Sequence, residues 1–81
     1  MSKYKKEKKK IGDICKQLRI NKRFTRHELS DKSGKTQQTF YNFENGGCCR
    51  LDYILIYKDC LQLNDKEKDD FILSIASVLR G

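Results

Sequence analysis

Four residues, Ser33-Gly34-Lys35-Thr36, join two short helical segments, and this joint restricts the chain more than any other feature. Upstream of it, Thr25 followed by Glu28 forms a capping box. The threonine hydroxyl accepts from the amide three residues on, and the glutamate reaches back to the threonine amide. Phe24 and Leu29 occupy the positions of a hydrophobic staple, so a helix over 26–32 has a defined entry angle. Gly34 tolerates the left-handed turn that stops this helix after Ser33. Thr36 then caps a further helix from Gln37 to Asn45, which Gly46-Gly47 ends. With only Lys35 and Thr36 between Gly34 and Gln37, the two helices must cross steeply, as in a helix-turn-helix.

The flanking sequence is helical in pattern too. Ile11, Ile14, Cys15 and Leu18 recur at three- and four-residue spacing and predict an amphipathic helix over about 10–20, with Gly12 weakening its start and Asn21-Lys22-Arg23 ending it. A fourth helix over about 51–62 is expected to bury Leu51, Ile54, Leu55 and Leu61, flanked by Tyr57 and Cys60; Arg50 is a poor N-cap for it. Asn64 with Glu67 makes a second capping box. It opens a fifth helix whose Phe71, Ile72, Ile75, Val78 and Leu79 form an apolar stripe. Five helices without a strand signal predict a compact all-α domain, about as much as 81 residues can support. Residues 1–10 read as a disordered basic arm, 11–63 as the helix-turn-helix unit, and 64–81 as a C-terminal helix that completes the core, pairs two copies, or both.

Charge divides the chain. Residues 1–50 carry fourteen Lys and Arg against five acids, whereas residues 51–81 carry four against six. A basic front and a mildly acidic back suit a half that faces a polyanion better than a uniformly solubilising surface. The arm itself holds Lys3, Lys5, Lys6, Lys8, Lys9 and Lys10, which serve either as a solubility tail or as a segment that gains order on phosphates.

Other classes find little support. No apolar run is long enough to span a bilayer, and the charged N-terminus lacks the apolar stretch of a secretory signal, so a cytoplasmic location without membrane association is expected. Cys15, Cys48, Cys49 and Cys60 contain no C-x-x-C spacing and read as reduced thiols, with redox sensing at Cys48 and Cys49 as the alternative. The single histidine, His27, sits on the first turn of a capped helix. No paired carboxylates, phosphate-cradling loop or metal motif accompanies it, so neither enzyme activity, cofactor nor metal is expected.

On a helical wheel the Gln37–Asn45 helix divides in two. Phe40 and Phe43 point into the core, while Gln38, Tyr41, Asn42 and Asn45 point out, with Gln37 at the tip. An exposed face of amides and one aromatic, without charge, differs from ordinary solvated faces built of Lys and Glu, although a neutral solvated face is the simpler alternative. Amides donate and accept together, which matches adenine N6 and N7 in the major groove.

At this point the chain resembles the Cro/C-type helix-turn-helix (XRE) family, which includes the lambdoid phage repressors. The likeness spans residues 11–63 and rests on F-T-R-H-E-L-S at 24–30, Gly34, T-Q-Q at 36–38, F-E-N-G at 43–46 and L-Q-L at 61–63. It implies that Gln37, Gln38 and Asn42 contact bases, and that Arg26, Asn45 and Arg50 contact phosphates; Tyr41 joins the base-facing set from its place on the exposed face, and Lys35 and Thr36 are added to the phosphate set. It further implies an Arg19–Glu44 ion pair between the first and third helices, of modest energy if exposed. Ser30 takes the place of a small alanine. The chain departs from the family pattern at Lys35, Lys58 and Cys49, where an apolar residue, a small residue and proline are usual.

The expectation is therefore a transcriptional regulator, a repressor in the first instance, that binds a double-stranded operator. One module buries only about 600–1,000 Å² on DNA, so a homodimer on two half-sites is expected, with Phe71, Ile72, Ile75, Val78 and Leu79 as the pairing surface. The alternative is a protein-interaction module on the same scaffold, antitoxin-like or a phage-encoded inhibitor of a host nucleic-acid enzyme, whose partner is another protein.

Overall fold

Side-chain caps open three of the five helices, at Thr25, Thr36 and Asn64. A computed structural model describes residues 5–48 and 50–80; Lys3 of the expected arm and Cys49 of the expected redox pair lie outside the described residues. The elements are α1 (Lys5–Asn21), α2 (Arg26–Ser33), α3 (Gln37–Glu44), α4 (Leu51–Cys60) and α5 (Asp65–Arg80), with no strand among the described residues. The fold is all-α, and α2 and α3 are short neighbouring helices of the kind a helix-turn-helix requires. Both capping boxes form. Glu28 N donates to Thr25 Oγ1 at 3.1 Å while Thr25 N donates to Glu28 Oε1 at 2.9 Å. Glu67 N donates to Asn64 Oδ1 at 2.8 Å while Asn64 N donates to Glu67 Oε1 at 3.1 Å. Gly34 closes α2 at φ 78°, and α4 starts at Arg50 with no side-chain cap.

The N-terminal segment differs from its expected form. Helix α1 begins at Lys5, so Lys5, Lys6, Lys8, Lys9 and Lys10 stand on its first turns rather than in a disordered arm. Lysine is a good helix former, and two contacts offset the crowding of like charge. Lys9 Nζ pairs with Asp13 Oδ1 at 3.0 Å one turn on. The Lys9 backbone also lies against Gly46, close enough that a Cβ there would come within 3.1 Å of its Cα.

Gly12, which the sequence marks only as a weak point, is where α1 crosses α3. A Cβ at this position would meet the Phe43 and Glu44 carbonyl oxygens at 2.5 and 2.6 Å. Cys15 and Ile11 flank the crossing, fully buried.

The core centres on an aromatic quartet, Phe40 and Phe43 of α3 with Tyr53 and Tyr57 of α4, whose ring centroids lie 5.5–5.8 Å apart. This corrects the expected face of α4. Tyr53, Ile54, Tyr57 and Leu61 are buried, whereas Leu51 is 70% exposed and Leu55 is exposed as well. Residues 53, 57 and 61 follow one helical stripe, and 51 and 55 lie off it. A phenol can occupy that stripe because its ring packs and its hydroxyl finds a partner. On α5, Phe71 and Ile75 join the core and Val78 packs against it, but Ile72 and Leu79 are exposed beside Leu73.

Candidate nucleic-acid interface

Glu44 is the hub on which the α2–α3 unit is built. It is fully buried at the last residue of α3. Arg19 donates to it through Nε at 2.8 Å and Nη2 at 3.1 Å, Arg26 through Nη1 at 2.9 Å, and Tyr57 through its hydroxyl. Arg19 also donates to the Phe24 carbonyl at 2.8 Å, which fixes the chain entering α2. The network thus ties α1, α2, α3 and α4 together. Burial alone would raise the Glu44 pKa, but the hydrogen bonds from Arg19 and Tyr57, the Arg19 charge and the Arg26 hydrogen bond outweigh it and hold the carboxylate below its usual range. Burial, followed by the adjoining Glu44 carboxylate, pushes the Tyr57 phenol upward and keeps it a donor. The expected Arg19–Glu44 pair thus forms in the interior, where losing one partner costs far more than at an exposed site.

Buried Phe40, Phe43 and Glu44 fix the rotation of α3, and that rotation leaves Gln37, Gln38, Tyr41, Asn42 and Asn45 exposed on the opposite side. Gln38 Nε2 donates to Asn42 Oδ1 at 3.1 Å across one turn. The Gln38 carbonyl, its second N–H and both Asn42 N–H groups remain for another partner. Asn45 Nδ2 donates to the Tyr41 carbonyl at 2.8 Å, closing the end of α3 and leaving one N–H.

The expected phosphate-binding groups occupy two places. Lys35 and Arg50, on either side of α3 in sequence, both lie over the Tyr53 ring, at 5.9 and 5.8 Å from its centroid. Arg50 Nε additionally reaches Asp52 at 3.3 Å. Arg26 stands apart, bound to Glu44 and 5.3 Å over the Tyr41 ring. It positions Tyr41 and α3 at least as much as it offers charge. Thr36 caps α3, accepting from Thr39 N at 3.4 Å, with its hydroxyl 2.7 Å from the Thr39 hydroxyl. Ser30 donates to the Lys35 carbonyl at 2.5 Å, holding the joint closed.

Sequence reasoning missed two contributors. His27 reaches Gln37, with 3.0 Å between its Nδ1 and the amide nitrogen, although the two are ten residues apart. Tyr57 was expected only to flank the core, yet its hydroxyl completes the Glu44 shell. A tyrosine in phase with Ile54 and Leu61 was the available signal for the second; the first depends on tertiary placement alone.

Among the described residues, no group of three His, Cys, Asp or Glu side chains is placed to hold a metal, and no helix is long and apolar enough to cross a membrane. A groove between α1 and α5 has Ile14, Leu18 and Phe71 in its lining with Asp13, Glu67 and Asp70, and none of the residues of the amide face lines it. No protein-family model, curated protein or solved structure matches this chain.

Proposed function

We propose that the chain binds double-stranded DNA in a sequence-selective way and regulates transcription from an operator, most simply as a repressor. The observation that carries this reading is the outward face of α3. Gln37, Gln38, Tyr41 and Asn42 are exposed together, uncharged and rich in paired donors and acceptors, on a helix whose other side is locked into the core. Lys35 and Arg50 supply the cationic flank that phosphates need, α1 carries further lysines, and the acids Glu67 and Asp70 sit at a groove that no residue of the amide face lines. Exposed Ile72, Leu73 and Leu79 on α5 offer an apolar surface for a second copy, a reading that adds Leu73 to the expected set and removes Phe71, Ile75 and Val78 from it.

The test is a comparison of side-chain truncations on matched and mismatched duplexes. Gln37→Ala or Gln38→Ala should lose about 1–3 kcal/mol of discrimination at particular base pairs, while Lys35→Ala weakens all duplexes alike. Equal losses on every duplex from the glutamine changes would remove the base-reading assignment and favour a protein partner for this face.

A further inference from the structure

We infer that the groove between α1 and α5 binds a small organic cation, one that joins an apolar body to a protonated amine. The site lies away from the amide face of α3, and it stands whether or not that face reads DNA.

Its size suits a small molecule. The groove holds about 530 Å³, inside the roughly 300–1,000 Å³ typical of ligand sites. Its α1 wall, from Asp13 to Asn21, is about 12 Å long at ~1.5 Å per residue. Nine residues line it, against roughly 20–30 on each side of a protein interface.

The floor is apolar. Ile14 and Leu18 stand one turn apart on α1, both partly buried, and Phe71 of α5 lies in the core beneath the opposite wall. An apolar body laid along them takes their remaining exposed surface out of water.

The rim is anionic. Asp13 on α1 and Glu67 and Asp70 on α5 line the groove and no Lys or Arg does, in a chain whose net charge is +7. From outside the lining, Lys9 reaches Asp13 at 3.0 Å and Lys22 reaches Glu67 at 2.7 Å. Asp70 has no ion-pair partner among the described residues. Its carboxylate is therefore left to accept from an ammonium group, a charge-assisted bond, while the same rim repels an anion. Gln17, Asn21 and Ser74 supply neutral oxygens for the other ammonium hydrogens.

The groove is also separate from the surface offered to a second copy. Residues 67, 70 and 74 follow one helical stripe on the α1 side of α5, and exposed Ile72 and Leu79 lie on another. A ligand in the groove leaves those two uncovered.

NMR of the methyl and aromatic groups of the full chain, without DNA, tests the inference. The probes are 4-phenylbenzylamine, its anionic analogue 4-phenylbenzoate and its neutral analogue 4-biphenylmethanol. The amine should shift the Ile14, Leu18 and Phe71 resonances to saturation. It should bind about tenfold more tightly than the carboxylate and about threefold more tightly than the alcohol. Asp70→Asn should weaken the amine about threefold and leave the alcohol unchanged. A carboxylate or alcohol that binds as tightly as the amine would overturn the inference, as would an amine that leaves the three resonances still. Groove resonances that move when the free protein is diluted would overturn it too, by making a second copy the occupant.

Discussion

The α-carbon of Gly12 faces the carbonyl oxygen of Phe43 so closely that a Cβ would sit 2.5 Å from it. Alanine is the better helix former, worth about 1 kcal/mol over glycine in a helix interior. Here the obstruction is backbone, which cannot swing away. Gly12→Ala should therefore destabilise the domain by about 1–3 kcal/mol or more, read as a lower urea midpoint. An unchanged or raised midpoint would mean that α1 and α3 do not cross at this residue.

Glu44 couples stability to pH. Its folded pKa is held low, so its contribution is present above the unfolded glutamate value, roughly 4.3, and is lost as pH falls through that value toward the depressed one. Glu44→Gln should cost about 3–5 kcal/mol at neutral pH, because buried Arg19 loses its counter-charge. The variant should also lack the wild type's steep loss of stability below about pH 4. Parallel acid titrations of folding for the two proteins decide this.

Gln62 occupies the left-handed region at φ 57°, in the link between α4 and α5. Its side chain is exposed. Gln62→Gly should raise stability by about 0.5–1 kcal/mol, the left-handed penalty less the added chain entropy of glycine. A calorimetric melting temperature that falls would show that this turn is not left-handed.

Lys35 and Arg50 converge on Tyr53 from opposite ends of α3. Removing either should lower the salt dependence of DNA binding by about one ion, with no change in which base pairs are preferred. Arg26→Ala should behave differently, losing folding stability as well as affinity, because its guanidinium binds buried Glu44. Binding isotherms across a salt series, set beside denaturation curves, separate the two cases.

Leu73 is 64% exposed and lies beside exposed Ile72, on a helix whose inner side is anchored by Phe71 and Ile75. Leu73→Glu should leave the monomer folded while weakening self-association in sedimentation. An unaltered oligomeric state would move the pairing surface away from this part of α5.

The parts of this architecture written in local chemistry were legible in the sequence. Thr25 with Glu28, Asn64 with Glu67 and Gly34 each act within a few residues, and the corresponding helix ends formed where those residues stood. The inward turn of Phe40 and Phe43 followed from helical period alone. What escaped depends on neighbours distant in sequence. Tyr57 is core rather than flank because Glu44 accepts its hydroxyl, and Leu51 is surface because the tyrosine stripe of α4 took the inner face. Lys5 to Lys10 are helical partly because Gly46 gives the Lys9 backbone a surface to lie on. The bond from the Arg26 guanidinium to Glu44 also escaped, because it depends on a buried carboxylate eighteen residues away that attracts the charge.

Selection of bound duplexes from a random DNA pool tests the central claim most directly. The account predicts recovery of one enriched motif, repeated as two half-sites about one helical turn apart, with affinity that falls steeply with salt. Salt-sensitive binding with no enriched sequence would contradict it, leaving the amide face of α3 without a role in reading DNA.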